Sequence, residues 1–309
     1  MEAFFVKECT ATKSANGREY CNLLLVSESL VETRCYLWEF NGSLLWHILV
    51  FDAGLPQPNA SGFVGFKLSA ISSDLGVFSP DSAEWSKFEQ WQRFIPMLPA
   101  FDSFRSAVVT LLKEWMPDDG SESAGGSRGA AVALLLSELP ELYKSYRDAF
   151  GGKKQHHAYR GGLLQHVFEM LTFAFGLRRW FPWPIDMFVL TFGILYHDYG
   201  KVSEYVSDSA EYTEDMILWP HPVSSAFVFR QKYESCGMSE ALMQRILHCI
   251  ISHNGRKEWC VAQLPSTIEA FVLSELDLLS AWGATISSAV NMDFVSGMDR
   301  RVVNSIVGD

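Results

Sequence analysis

Histidine, aspartate and lysine recur in this chain at a spacing that suits a divalent cation. The run KKQHHAYRGGLLQH spans Lys153–His166, and ILYHDYGK spans Ile194–Lys201. Seven of the eight histidines lie at or beyond His156. Imidazole and carboxylate are the donors that such an ion takes together. His166, His197, Asp198 and Asp277 follow one another with gaps of 31 residues between the histidines and 79 between the aspartates. His221 and His253 lie between, 23 residues after Asp198 and 24 before Asp277. Each residue alone has a plainer reading: a core histidine, a polar helix end at Asp198, a solvated Lys201. Their joint order is what points to a metal site. His248 falls off the Cys249–His253 face and is read as an ordinary histidine.

Helices must position these groups. Leu163, Val167, Met170, Leu171 and Ala174 form one apolar stripe, with His166 beside it. Ile185–Tyr196 is apolar nearly all round, which predicts a central buried helix ending at His197-Asp198, with Gly200 breaking it. Leu242, Ile246, Cys249 and Ile250 make a stripe that closes on His253. Ala270, Leu273, Ala281 and Ala284 make the last, with Asp277 in its middle. A buried carboxylate is costly unless something pairs it, and one metal site would pair both Asp277 and Asp198.

Upstream, residues 1–75 read as five short strands: Phe4–Thr10, Glu19–Ser27, Glu32–Phe40, Leu44–Phe51 and Gly62–Ser69, separated by turn-rich pieces. Five strands in that length suit a small OB-like barrel, with an SH3-like barrel or an irregular sandwich as alternatives. Tyr36 and Trp38, on one face of the third strand, are candidates for stacking on nucleobases, and equally for core packing. Residues 76–130 read as a helical connector, with helices at Trp85–Phe94 and Phe101–Trp115 and a flexible loop at 117–128. Ala130–Phe150 resumes as a helix interrupted by Pro140. Residues 131–309 form the histidine-bearing helical domain. The fold class expected is α+β multidomain, a five-stranded barrel followed by an all-α domain.

The totals bound the function. The net charge is −11, which argues against a protein that coats nucleic acid electrostatically. Residues 151–185 are nonetheless locally basic: Lys153, Lys154, Arg160, Arg178 and Arg179 face a single acid, Glu169. None of the six cysteines forms a CxxC pair, which argues against structural zinc and for thiols in a reducing compartment. The segment MEAFFVKECT lacks a secretory pattern, and the apolar run Met187–Tyr196 is too short to span a bilayer. A cytoplasmic protein without membrane contact is expected.

The order H…HD…D matches the HD superfamily of helical phosphohydrolases. HHAYRGGLLQH at His156–His166, LYHDYGKVSEY at Leu195–Tyr205, WPH at Trp219–His221, SHNG at Ser252–Gly255 and LPSTIEAFVLSELD at Leu264–Asp277 resemble the YhaM-type 3′–5′ exoribonucleases. Nearly the whole chain shares in the resemblance, least over residues 76–150. It implies an OB-fold joined to an HD domain. It also implies 3′–5′ hydrolysis of single-stranded RNA, or DNA, by a metal-activated water, with manganese or a similar ion. By that resemblance His166, His197, Asp198 and Asp277 hold a first ion, and His221 and His253 complete a second site at Asp198. Lys201 neutralises the scissile phosphate, and His157 contacts the substrate or leaving oxygen. His156, His157 and the cations from Lys153 to Arg160, Lys154 among them, form a substrate-facing rim. The chain departs from the family at Asn254, where a second adjacent histidine is usual, and at Ser280, where an acid often follows. One ion or two therefore stays open. The alternatives are an HD phosphohydrolase of nucleotides or cyclic nucleotides, or a nucleic-acid binder with a degenerate site. MobH-type relaxases carry a related pattern. A homo-oligomer is compatible with all of these.

Overall fold

The computed structural model describes residues 2–29, 31–40, 44, 48–51, 54–67, 77–78, 98–116, 126–152, 156–204, 212–259 and 261–287. The chain divides into two compact units, Met1–Met97 with Ile286–Asp309, and Leu98–Thr285.

In the first unit, strands β1 (Glu2–Lys13), β2 (Glu19–Ser27), β3 (Glu32–Trp38), β4 (Ile48–Phe51), β5 (Val64–Lys67) and β6 (Val77–Phe78) form one sheet in the order β5-β3-β2-β1-β4-β6. The long β1 pairs with both β2 and β4, and its register with β2 shifts between Val6 and Glu8. Such a bulge bends a strand and sharpens its twist, which curls the sheet. Phe51 of β4 and Phe66 of β5 come from opposite sides of the strand order, yet their rings meet edge-on at 5.1 Å. The sheet is therefore a half-barrel closed by side chains, around Phe5, Val6, Leu23, Leu25 and Leu37. The five strands expected are present with shifted ends, and two-residue β6 is an addition. The helix read at Trp85–Phe94 lies outside the described residues.

The second unit is helical. It comprises α1 (Phe101–Leu112), α2 (Gly126–Asp148), α3 (Gly162–Trp180), α4 (Met187–Tyr196), α5 (Glu214–Leu218), α6 (His221–Tyr233), α7 (Glu240–Ser252) and α8 (Ile268–Ser287). All ten residues of α4 are buried, as an all-round apolar helix demands. Its start is fixed by a polar cluster that the periodicity does not show. Asp186 caps it, accepting from Phe188 N at 3.1 Å and Val189 N at 3.4 Å. Arg128 of α2 grips the same carboxylate with two bonds, 2.9 and 2.6 Å. The buried Glu269 of α8 accepts from Asp186 N and from Arg245 of α7, each at 2.9 Å.

Two expectations change here. Helix α2 runs unbroken through Pro140, because Leu135, Leu139, Leu142 and Tyr146 are buried on both sides of it and hold the helix despite the missing donor. Residues 126–128, expected as the end of the flexible loop, belong to α2, where the Arg128 bonds anchor them.

Candidate metal centre

Five elements bring the candidate ligands together. His166 sits on the buried face of α3, and His197 and Asp198 follow the last turn of α4. His221 opens α6, His253 closes α7, and Asp277 stands in mid-α8. Two close approaches permit this. At Gly200 a Cβ would overlap the backbone of His221, so α6 can begin against the turn after Asp198 only if that residue is glycine. At Gly162 a Cβ would overlap the carbonyl oxygen of His157, so α3 can start beneath that turn only with glycine there.

The donors fall into two trios that share an edge. His166, His197 and Asp277 form one, and Asp198, His221 and His253 the other. His166 Nε2 is 3.2 Å from His197 Nε2 and 3.3 Å from Asp277 Oδ1. Asp198 reaches both groups. Its Oδ2 is 3.4 Å from His197 Nε2 and 3.8 Å from His166 Nε2. Its Oδ1 is 3.3 Å from His221 Nε2 and 3.4 Å from His253 Nε2.

Hydrogen-bond accounting shows which atoms are left for an ion. The Nδ1 of His197 lies 2.9 Å from Ile194 O, and that of His253 2.7 Å from Ile250 O. A carbonyl can only accept, so Nδ1 carries the proton and Nε2 offers a lone pair. His221 Nδ1 is 3.2 Å from Glu204 Oε2, within ion-pair distance but without hydrogen-bond geometry. Asp198 Oδ1 and His221 Nε2 are buried without a hydrogen-bond partner among the described residues. Donors bound to one ion at about 2.0–2.2 Å stand about 3.0–3.6 Å apart, which is the spacing seen. The residues therefore fit a divalent metal.

Charge favours ligation. Burial pushes the Asp198 carboxyl up, but Lys201 and His197 outweigh it and hold it well below the usual carboxylate range. Burial likewise opposes ionisation of Asp277, and the nearby His166 outweighs that, lowering it. Lys201 Nζ lies 2.7 Å from Asp198 Oδ2 and donates to Gly151 O at 2.7 Å.

The remaining candidates are placed less uniformly. His157, expected on a substrate-facing rim, is only 3% exposed, with a left-handed φ of 49°. Its Nε2 lies 3.2 Å from Glu169 Oε2, and its ring lies tilted against that of His166, 5.2 Å between centroids, outside both trios. His156 is mostly buried, which, with the nearby Lys201 charge, lowers its pKa to about 3. Arg160 is exposed and donates to Asp148. Lys153 and Lys154 lie outside the described residues. Tyr36 and Trp38 are half-buried on the outer sheet face, in contact with Tyr20 and with each other. Phe63, half exposed, adds a fourth ring beside Tyr36. Sequence reasoning missed Tyr20, whose signal is its register opposite Trp38. It also missed Glu169, Ser280 and Glu204. Glu169 and Ser280 each follow a ligand, His166 and Asp277, by three residues and so share its helix face.

Residues 163–282 match the family model of the HD domain. The chain is similar to the 3′-5′ exoribonuclease YhaM of Geobacillus sp. (strain WCH70), 32% identical over 145 residues, 45% of this chain and 44% of that protein. The YhaM of Bacillus pumilus (strain SAFR-032) is 31% identical over 144 residues, 46% of each chain. That of Listeria welshimeri is 28% identical over 171 residues, 55% of this chain and 54% of the relative. The resemblance read from the motifs therefore holds, but over about half the length of each protein rather than nearly all of it. No solved structure matches.

Proposed function

We propose that this chain is a metal-dependent 3′–5′ exonuclease that hydrolyses phosphodiester bonds of single-stranded RNA, and of single-stranded DNA by the same site. The observation that carries this reading is Asp198, whose two oxygens each face a different set of imidazoles. A carboxylate shared between two ions is the arrangement of two-metal phosphoesterases. The similarity to exoribonucleases supports the substrate class.

His166, His197 and Asp277 would hold one ion and His221 and His253 the other, with Asp198 common to both. Manganese is the ion that the family resemblance implies; the carboxylates suit it, and the imidazoles suit iron or zinc equally. Bound there, ions supply an acidified water and offset the charge that builds on the phosphate. The protein's own groups orient and neutralise. Lys201 holds Asp198 ionised, and two of its three ammonium protons are accounted for by Asp198 and Gly151. We assign the third to a phosphate oxygen. His157 acts from behind His166 through Glu169 rather than on the substrate. Arg160 and the neighbouring Lys153 and Lys154 would track the strand backbone, and Tyr36 and Trp38 would stack on its bases. Such a protein would work in the cytoplasm; among the described residues no helix is long and apolar enough to cross a membrane.

The test is a 5′-labelled single-stranded RNA incubated with the protein and Mn2+. A ladder shortening from the 3′ end is expected, and His197→Ala should abolish it while the circular dichroism spectrum is unchanged. Cleavage of nucleoside triphosphates or cyclic dinucleotides with no cleavage of RNA or DNA would favour the nucleotide phosphohydrolase and overturn the exonuclease. Binding of strands with neither ion uptake nor cleavage would leave a degenerate binder.

A further inference from the structure

We propose that Ser280 and Glu169 form a positioning relay that selects the ligand-competent tautomer of His166. The inference rests on the metal reading above, not on the substrate. Ser280 Oγ lies 2.9 Å from His166 Nδ1 and donates to Glu169 Oε2 at 2.6 Å. A serine hydroxyl has one proton. With that proton given to a carboxylate, Oγ can only accept from His166, so Nδ1 must carry the ring proton and Nε2 the lone pair. Glu169 is pinned in place by Gln165, which donates to its Oε1 at 2.8 Å, and His157 Nε2 lies 3.2 Å from its Oε2 without hydrogen-bond geometry. Burial pushes Glu169 up, but the His157 imidazole beside it and its hydrogen bonds with Ser280 and Gln165 bring it down to about 2, so it stays an acceptor.

What faces Nδ1 is what sets His166 apart from the other rings. His197 and His253 present Nδ1 directly to a backbone carbonyl, and His221 Nδ1 lies 3.2 Å from Glu204. Like the other three, His166 has a carboxylate on its ligand side that could compete for a ring proton: Asp277 Oδ1 is 3.3 Å from its Nε2, as Asp198 is 3.3–3.4 Å from theirs. Without Ser280 the favoured tautomer would place the proton on Nε2, donated to Asp277. That state removes one lone pair and occupies one carboxylate oxygen of the same trio. Loss of such an outer partner weakens metal binding about 10- to 100-fold in comparable sites.

The experiment uses the full chain without substrate. Free Mn2+ is followed by electron paramagnetic resonance during titration, and the histidine tautomers of the metal-free protein by nitrogen-15 NMR. Ser280→Ala is expected to raise the Mn2+ dissociation constant about 10- to 100-fold and to move the His166 proton from Nδ1 to Nε2. Glu169→Gln, at a half-buried position that keeps its shape, should weaken Mn2+ less. The double variant should be no worse than Ser280→Ala, because the two act in series. If Ser280→Ala does not fold, Glu169→Gln carries the test through the same two readouts. Wild-type Mn2+ affinity with an unmoved tautomer, or additive losses in the double variant, would overturn the relay whatever the protein's activity on RNA.

Discussion

Asp198 is ionised, buried and faced by imidazoles on two sides, so what replaces it decides which of its roles is lost. Asp198→Asn keeps the shape but loses the charge that two ions would share. The rate on RNA should fall by at least about 100- to 1,000-fold, as for other losses of fixed electrostatic stabilisation. The same change also strands the Lys201 ammonium, which sits 2.7 Å from Asp198. Removing one partner of a buried ion pair costs about 3–5 kcal/mol, whereas replacing both by apolar groups is often neutral. Asp198→Asn should therefore lower the melting temperature of the metal-free protein, and Asp198→Asn with Lys201→Met should recover it without recovering activity. A double variant melting no higher than the single one would show that Lys201 is not what the single change destabilises. A pH effect belongs to this scale too. His156 has its pKa lowered to about 3, so the unfolded chain binds a proton there that the folded one refuses. Stability should then decline as pH falls below about 6.5, the unfolded value, and His156→Gln should flatten that slope in denaturant midpoints measured against pH.

At the scale of elements, helix α4 carries the His-Asp pair, and its first residue is held more firmly than its apolar sequence suggests. Asp186 caps the helix and meets Arg128, while Glu269 ties the same point to α7 and α8. Asp186→Ala should cost about 1–2 kcal/mol for the cap, plus a contribution from the unpaired Arg128, read from urea unfolding of the helical unit. A loss under about 0.5 kcal/mol would mean that the apolar face alone fixes the helix. These elements also show what was legible in the sequence. The apolar stripes of α3, α4, α7 and α8 could be read because helical periodicity is local, and His197-Asp198-x-Gly-Lys because its members are adjacent. The pairing of Glu169 with Ser280 could not, because it depends on how α3 and α8 cross, with 111 residues between the partners. The exposure expected of His157 failed for the same kind of reason: the glycines beside it fold its turn inward. Pro140 misled because its missing donor is a local cost, while the burial that outweighs it is tertiary.

At the scale of the whole molecule, a net charge of −11 must be reconciled with a nucleic-acid substrate. Counterion release gives a steep salt dependence only where many phosphates meet lysine or arginine. The first unit instead offers rings: Tyr20 and Trp38 at 5.0 Å between centroids, and Tyr36 and Phe63 at 5.4 Å. Stacking is indifferent to base identity and to salt, and each base stacked contributes about 1–3 kcal/mol. If this face holds the strand beside the few cations around Arg160, affinity for single-stranded RNA should fall by no more than about 50-fold between 50 and 200 mM salt, below the about 300-fold or more expected of six or more phosphate contacts on a single strand. Tyr36→Ala together with Trp38→Ala should raise KM on a long single strand by about tenfold or more and leave kcat in place, because these rings lie outside the ligand cluster. Hydrolysis of a small phosphodiester such as bis-p-nitrophenyl phosphate should be untouched by the same pair, since it has no base to stack. An unchanged KM on the long strand would remove the sheet face from substrate binding, and a steep salt slope would move that role to the cations around Arg160.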